Sequence, residues 1–274
     1  MKLAVIAYEG AEKVVVRKGE DRYLLMDVAP EFDMSLADLI KREQLEALSF
    51  VLEGVAWDEV EPLSLEEWRY LLPKTQSRHV FGIGANYVEK AEDLNIVAEK
   101  PVCFLKLSEQ IVGPDEVIEI PRFSELVSAE GELALLIGKR CFEVTESEAL
   151  HYVAGYTTAL DLTAKDLHAE NPRFLQISKL FPGSCSIGPE IQLGTKNLHE
   201  VEVRTMKNGE AMHRNVVANM MYSPAAIVAY LSQFVALEPG DWILTGTPGS
   251  FEVELGDSVQ CYISGLALLE NPIR

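Results

Sequence analysis

Cysteine is scarce in this sequence. Cys103, Cys141, Cys185 and Cys261 are the four in 274 residues, too scattered for a disulfide framework and without zinc-site spacing. They read as reduced thiols of a cytoplasmic protein. Long apolar runs are also missing: none approaches the ~20 residues that span a bilayer. The opening MKLAVIAYEG halts at Glu9, too short for a signal peptide. Basic residues are few, with 24 Lys and Arg against 43 Asp and Glu and a formal net charge of −19. Without a local basic patch, such a chain repels phosphate backbones, which argues against a nucleic-acid partner. The five histidines show no ligand spacing, and no serine or cysteine sits in a nucleophile elbow. What is abundant is apolar sequence. Hydrophobic residues make up 48% of the chain, enough to bury the core of one large domain, or of a large and a small one.

The first residues alternate like a small β-meander, with strands around Leu3–Ala7, Val14–Val16 and Tyr23–Met26. Ser35 is placed to cap a helix whose apolar face continues through Leu36, Leu39, Ile40, Leu45, Leu48 and Leu52 to a stop at Gly54. A polar connector follows, with a short helix expected near Leu65–Leu72. This gives a small N-terminal domain over 1–75 and a larger one over 76–274. The larger part predicts strands at Val80–Ile83, Val102–Leu105, Glu132–Ile137, Val153–Leu160, Val201–Met206, Trp242–Thr245 and Val259–Ile263. Helices are expected after the capping box Thr145-Glu146-Ser147-Glu148 and after Ser223-Pro224. The absence of a βαβ rhythm argues against a doubly wound parallel sheet and for a β-rich α+β fold.

Two stretches carry chemistry. In Glu130-Gly131-Glu132-Leu133-Ala134, period two puts both glutamates on one face at the head of an apolar strand. Adjacent carboxylates repel each other, and a divalent cation removes that cost; the competing reading is a solvated strand end. Asp161 closes the apolar run from Gly155, where a buried acid must be paired or coordinated unless it caps the following turn. Three carboxylate ligands suit Mg²⁺ or Mn²⁺, with Ca²⁺ also within range, better than Zn²⁺. Phe81-Gly82-Ile83-Gly84-Ala85-Asn86 has two glycines after a strand, lacks the third of a dinucleotide fingerprint and reads as a tight loop. Thr245-Gly246-Thr247-Pro248-Gly249 reads as a turn able to offer hydroxyls and N–H groups to a carboxylate.

Joined in order, these stretches resemble the fumarylacetoacetate hydrolase superfamily over roughly residues 78–274. Gly84-Ala85-Asn86-Tyr87 looks like its opening motif, Glu130 to Lys139 like its first metal strand, and Tyr152 to Asp166 like its second. Lys179, Ile187-Gly188-Pro189, Asn208-Gly209-Glu210, Leu237 to Asp241 and Thr245 to Pro248 follow in family order. The spacing from Asp161 to Lys179 is similar to the branch of 2-hydroxyhepta-2,4-diene-1,7-dioate isomerases and 5-oxopent-3-ene-1,2,5-tricarboxylate decarboxylases. The resemblance implies a mixed β-sandwich roll, a homodimer, and a Mg²⁺ or Mn²⁺ site of Glu130, Glu132 and Asp161. It implies a small 2-oxo acid substrate, with Lys179 adding positive charge at the reacting oxygen. Thr247, Asn86, Tyr87, Lys165 and His168 are the implied substrate-binding residues.

The sequence also departs from the family pattern. The lid positions that often hold a His and a Glu carry Lys90 and Asp93, so activation of water by a lid histidine is in doubt. Lys165 and His168 replace a common Arg and Gln, Ser128 and Ala129 an Asp and an aromatic residue, and Pro182 an Asp. The preferred expectation is an isomerase or decarboxylase of aromatic-compound catabolism. The alternatives are a C–C hydrolase of acylpyruvate or fumarylacetoacetate type and a non-catalytic homologue with an altered lid.

Overall fold

The computed structural model describes residues 1–64, 68–88 and 100–274. Lys90 and Asp93 lie outside the described residues. The N-terminal strands are β1 (Lys2–Tyr8), β2 (Ala11–Lys18), β3 (Asp21–Leu24) and β4 (Trp68–Tyr70). They are followed by β5 (Val80–Gly84), β6 (Val102–Lys106), β7 (Ile111–Val112), β8 (Val127–Ile137) and β9 (Val153–Ala164). Then come β10 (Cys185–Ile187), β11 (Glu190–Leu193), β12 (Glu202–Lys207) and β13 (Glu210–Val216), and finally β14 (Trp242–Leu244), β15 (Ser250–Val253), β16 (Ser258–Ile263) and β17 (Leu269–Pro272). The helices are α1 (Leu25–Val28), α2 (Leu36–Lys41), α3 (Leu45–Glu53), α4 (Glu146–Ala149), α5 (Lys165–Glu170), α6 (Leu175–Ser178) and α7 (Pro224–Ser232).

A 13-stranded sheet runs β3-β2-β1-β11-β9-β8-β14-β5-β6, with β4, β7, β10 and β15 joined beside this path; β13-β12-β16-β17 form a second sheet. Pairing is antiparallel except at β14–β5 and β10–β7, so the sheets are mixed, as expected of this β-rich α+β fold. β12 and β16 pack on β8 and β9. Alternation along β8 separates two cores. Leu133, Leu135 and Ile137 join the cluster that includes Val203, Val259 and Cys261 of the second sheet. Ala134 and Leu136 join Leu3, Leu36, Leu39, Leu48 and Trp242 on the other face.

The caps read from the sequence form. Ser35 accepts from Asp38 N, Ser223 from Ala226 N with Pro224 in the first turn, and Thr145 and Glu148 close a capping box. Several local expectations are corrected. The apolar stripe from Ser35 to Leu52 is two helices, because Glu43 takes a left-handed φ of 54° between them. The third meander strand ends at Leu24, and Leu25–Val28 turn into α1. Within the helix expected near 65–72, Trp68–Tyr70 instead form a strand on β1, where two aromatics gain more from a pleated surface than from a short helix. Residues 65–67 fall outside the described set. The strand expected at Val80–Ile83 runs to Gly84, so the tight loop read over Phe81–Asn86 begins only at Ala85, with φ of 51°.

N- and C-terminal parts of the sequence meet at one buried carboxylate. Glu190 Oε2 accepts from Arg17 Nη1 at 2.7 Å and from Ala267 N at 2.9 Å. Its Oε1 accepts from Tyr70 OH at 2.6 Å and from Arg22 Nη2 at 3.5 Å. β1 pairs with β11 alongside, so the meander is continuous with the large sheet.

Candidate active site

The three acidic residues meet because of strand register. β8 and β9 are antiparallel with Glu130 opposite Asp161 and Glu132 opposite Ala159. The alternation that sends Gly131 and Leu133 toward the second sheet turns both glutamates to the opposite face, where Asp161 also lies. One oxygen from each of Glu130, Glu132 and Asp161 lies within 4.8 Å of the others. Asp161 sits inside β9, three residues before its end, so it is not the cap of the turn that follows. Gly131 lets the second sheet come close: a Cβ there would lie 3.0 Å from Thr205 Oγ1 and 3.2 Å from Cys261 Sγ.

The cleft in front of these carboxylates is a split in the sheet. β15 pairs with β8 from Val127 to Glu130, and β14 pairs with it from Ala134 to Leu136. Between them the Thr245–Gly249 turn leaves the sheet. Gly246 N donates to Glu132 Oε2 at 2.6 Å, and Thr245 Oγ1 donates to Leu133 O at 2.8 Å. The resulting cleft of about 460 Å³ is lined by all three carboxylates together with Lys165, His168, Lys179 and Thr247. Lys165 is exposed and reaches Glu252 at 3.4 Å, while His168 is half-buried on α5. The Thr247 hydroxyl donates to Gly249 O at 2.9 Å, so it must turn from its own loop to meet a ligand.

Two lysines enter this cluster. Lys179, at the C-cap of α6, places Nζ 2.8 Å from Glu130 Oε2 and 2.7 Å from Asp161 Oδ2. Burial pulls its ammonium down, but Asp161 and Glu130 outweigh that and hold its pKa above the ordinary value. Lys106 is fully buried. Its Nζ lies 2.7 Å from Asp161 Oδ1, yet its donors are directed to the carbonyls of Ser184 at 2.6 Å, Lys179 at 3.2 Å and Leu162 at 3.3 Å. Four oxygens thus share its three N–H groups, and Asp161 Oδ1 is held by the charge contact without a well-aligned hydrogen bond. Three carboxylates face two ammoniums, so one carboxyl has no cation of its own. Glu132 is that carboxyl, and burial, then Asp161 and Glu130, favour its neutral form by holding its pKa well above 4.5.

This donor set fits a divalent cation. Oxygens on one Mg²⁺ lie about 2.1 Å from it and those on Ca²⁺ about 2.4 Å, so three carboxylate oxygens all within 4.8 Å of one another can converge on a single ion with small side-chain rotations. The carboxylate repulsion at Glu132 and the incompletely hydrogen-bonded Asp161 oxygen are what such an ion would relieve.

Other expected site residues lie elsewhere. Asn86 is buried away from the cleft. Its Nδ2 donates to Thr245 O and Tyr222 O, and its Oδ1 accepts from Tyr222 N, so its amide ties the turn after β5 to the Thr245–Gly249 loop. The Tyr87 hydroxyl is buried without a hydrogen-bond partner, and its pKa is raised by burial and then by Glu132. Sequence reasoning missed Lys106, although the signal was of the same kind as for Asp161: one charge closing the otherwise apolar strand Val102–Leu105.

Comparison with known proteins identifies the family. The profile of the fumarylacetoacetate (FAA) hydrolase C-terminal family matches residues 79–274. The mitochondrial oxaloacetate tautomerase fahd2 of Xenopus laevis is 35% identical over 225 residues, covering 77% of this chain and 70% of that protein. The solved fumarylacetoacetate hydrolase from psychrophilic Exiguobacterium antarcticum superposes with a TM-score of 0.88 at 29% identity, over 100% of this chain and 99% of that one. The 2-hydroxyhepta-2,4-diene-1,7-dioate isomerase from Mycobacterium marinum gives a TM-score of 0.75 at 27% identity, over 100% and 98%. With its profile matched from His79 to Arg274 and its whole length superposed on these enzymes, the chain belongs to the fumarylacetoacetate hydrolase family.

Proposed function

We propose that this protein is a divalent-metal-dependent isomerase that moves a proton between carbon and oxygen in a small 2-oxo dicarboxylic acid, interconverting keto and enol forms. The observation that carries the reading is the cleft itself: three convergent carboxylates beside a fixed ammonium, with two further basic side chains, Lys165 and His168, in the lining. The oxaloacetate tautomerase relatives and the dienedioate isomerase support it. A Mg²⁺ or Mn²⁺ held by Glu130, Glu132 and Asp161 would stabilise negative charge growing on the keto oxygen. Lys179 adds a second positive charge beside that oxygen. Lys165 and Thr247 hold the far carboxylate. His168, the one imidazole lining the cleft among the described residues, takes the proton from carbon and returns it to oxygen.

His168→Gln should lower kcat by about 10²-fold or more with the fold intact. A stopped-flow assay of the enol absorbance of oxaloacetate measures this, and an unchanged rate would remove His168 from the mechanism. C–C hydrolysis is the second reading, favoured by the similarity to the Exiguobacterium enzyme. Product analysis separates the possibilities: hydrolysis yields two acids, decarboxylation yields CO₂, and isomerisation leaves the formula unchanged. The same proposal takes 76–274 as the catalytic unit, the homodimer as the assembly and the cytoplasm as the compartment. Light scattering tests the assembly directly.

A further inference from the structure

Among the described residues β6 is the last strand on its side of the large sheet, and three consecutive residues on it touch the segment that ends in Lys179. The Phe104 ring lies against the ammonium, with Nζ 4.7 Å from the ring centroid. The Leu105 N–H donates to Gln176 Oε1 at 2.9 Å, and Leu105 O accepts from Gln176 Nε2 at 2.7 Å. One amide of α6 thus serves the strand edge as a neighbouring strand would. Lys106 Nζ donates to Lys179 O at 3.2 Å, fixing the backbone from which the side chain springs.

The same arrangement explains a glycine that no ligand requires. Gly82 is the direct cross-strand partner of Phe104 in the β5–β6 ladder. A Cβ at Gly82 would lie 2.2 Å from both Cε2 and Cζ of the ring. Glycine at 82 lets the ring lie across β5, an aromatic filling the space above a strand glycine. Any larger residue displaces the ring from its place against Lys179.

We propose that β6 is the positioning element for Lys179, with Phe104, Gln176 and Gly82 as positioning residues that hold its ammonium between Glu130 and Asp161. A lysine side chain has four free torsions, and here it is confined by two carboxylates, a ring face and a clamped turn. Only the effect on turnover rests on the function proposed above; the positioning itself is read without a substrate.

The test is the rate at which an amine-acylating reagent labels Lys179 in the whole protein, measured by peptide mass against the exposed Lys196. In the wild type Lys179 should label slowly. Phe104→Leu, Gly82→Ala and the surface change Gln176→Ala should each raise its labelling severalfold, with circular dichroism confirming the fold. Replacing Phe104 by 3,4,5-trifluorophenylalanine keeps the volume and removes the negative ring face; it should raise labelling too, which a mere filler would not. On a 2-oxo acid, kcat should fall roughly 10- to 100-fold with KM near its wild-type value. Unchanged Lys179 labelling in both Phe104→Leu and Gln176→Ala would overturn the proposal. If labelling rises while the wild type turns over no 2-oxo acid, β6 keeps its positioning role and the proposed reaction fails.

Discussion

Replacing Asp161 by alanine should cost the protein about 3–5 kcal/mol of stability as well as its metal, whereas Glu132→Gln should remove the metal and stabilise the metal-free fold. The two ligands differ in what surrounds them. Asp161 is held between two buried ammoniums, Lys106 at 2.7 Å and Lys179 at 2.7 Å, so its loss leaves both positive charges without their closest common partner. Glu132 has no lysine among its ion pairs. It accepts from Gly246 N and feels Lys179 only at a distance, and these are outweighed by burial, Asp161 and Glu130. Glutamine keeps that hydrogen bond and removes the repulsion. The pH dependence follows in sign. Folded, Glu132 keeps its proton above 4.5, where the unfolded chain has released it. Stability of the metal-free protein therefore falls as pH rises from 4.5 through the folded value, and Glu132→Gln should flatten that fall. Urea unfolding of chelator-treated protein measures both effects. Equal destabilisation by the two substitutions would contradict the charge arrangement described here.

Glu190→Ala should be of similar size, about 3–5 kcal/mol, though it lies outside the cleft. The substitution strips a fully buried carboxylate from Arg17, Arg22, Tyr70 OH and Ala267 N, groups drawn from both ends of the sequence. These groups are half-buried, so each would lose its shared acceptor where water reaches only in part. Glu190→Gln keeps the shape and one acceptor and should cost less. The loss should appear as earlier proteolytic release of the segment before β5, together with a lower urea midpoint. A midpoint within error of the wild type would show that the meander is held by its β1–β11 pairing alone.

The acidic half of the site was legible in the sequence because its signals are local. Glu130 and Glu132 share a face through period two, and Asp161 stands out as an acid ending an apolar run. The basic half was only partly legible. Lys179 came from its place in the order of family motifs, and Lys106 was passed over, because a lysine at a strand end reads as a surface residue until register places it against Asp161. The cleft also depends on a long-range fact, that β14 and β15 reach β8 at separate points and leave Glu132 exposed to the turn between them. Asn86 shows the converse. Its family motif points to the substrate, but its amide is spent holding the Thr245–Gly249 turn. Trp68–Tyr70 became a strand because pairing with Ile6–Tyr8 decides a stretch whose local preference is weak.

The central claim is that Glu130, Glu132 and Asp161 share one divalent ion. Calorimetric titration of chelator-stripped protein with Mn²⁺ tests it most directly. One saturable site per chain is predicted in the wild type and in His168→Gln, lost in Glu132→Gln. Absence of saturable binding in the wild type, or equal binding by Glu132→Gln, would contradict it.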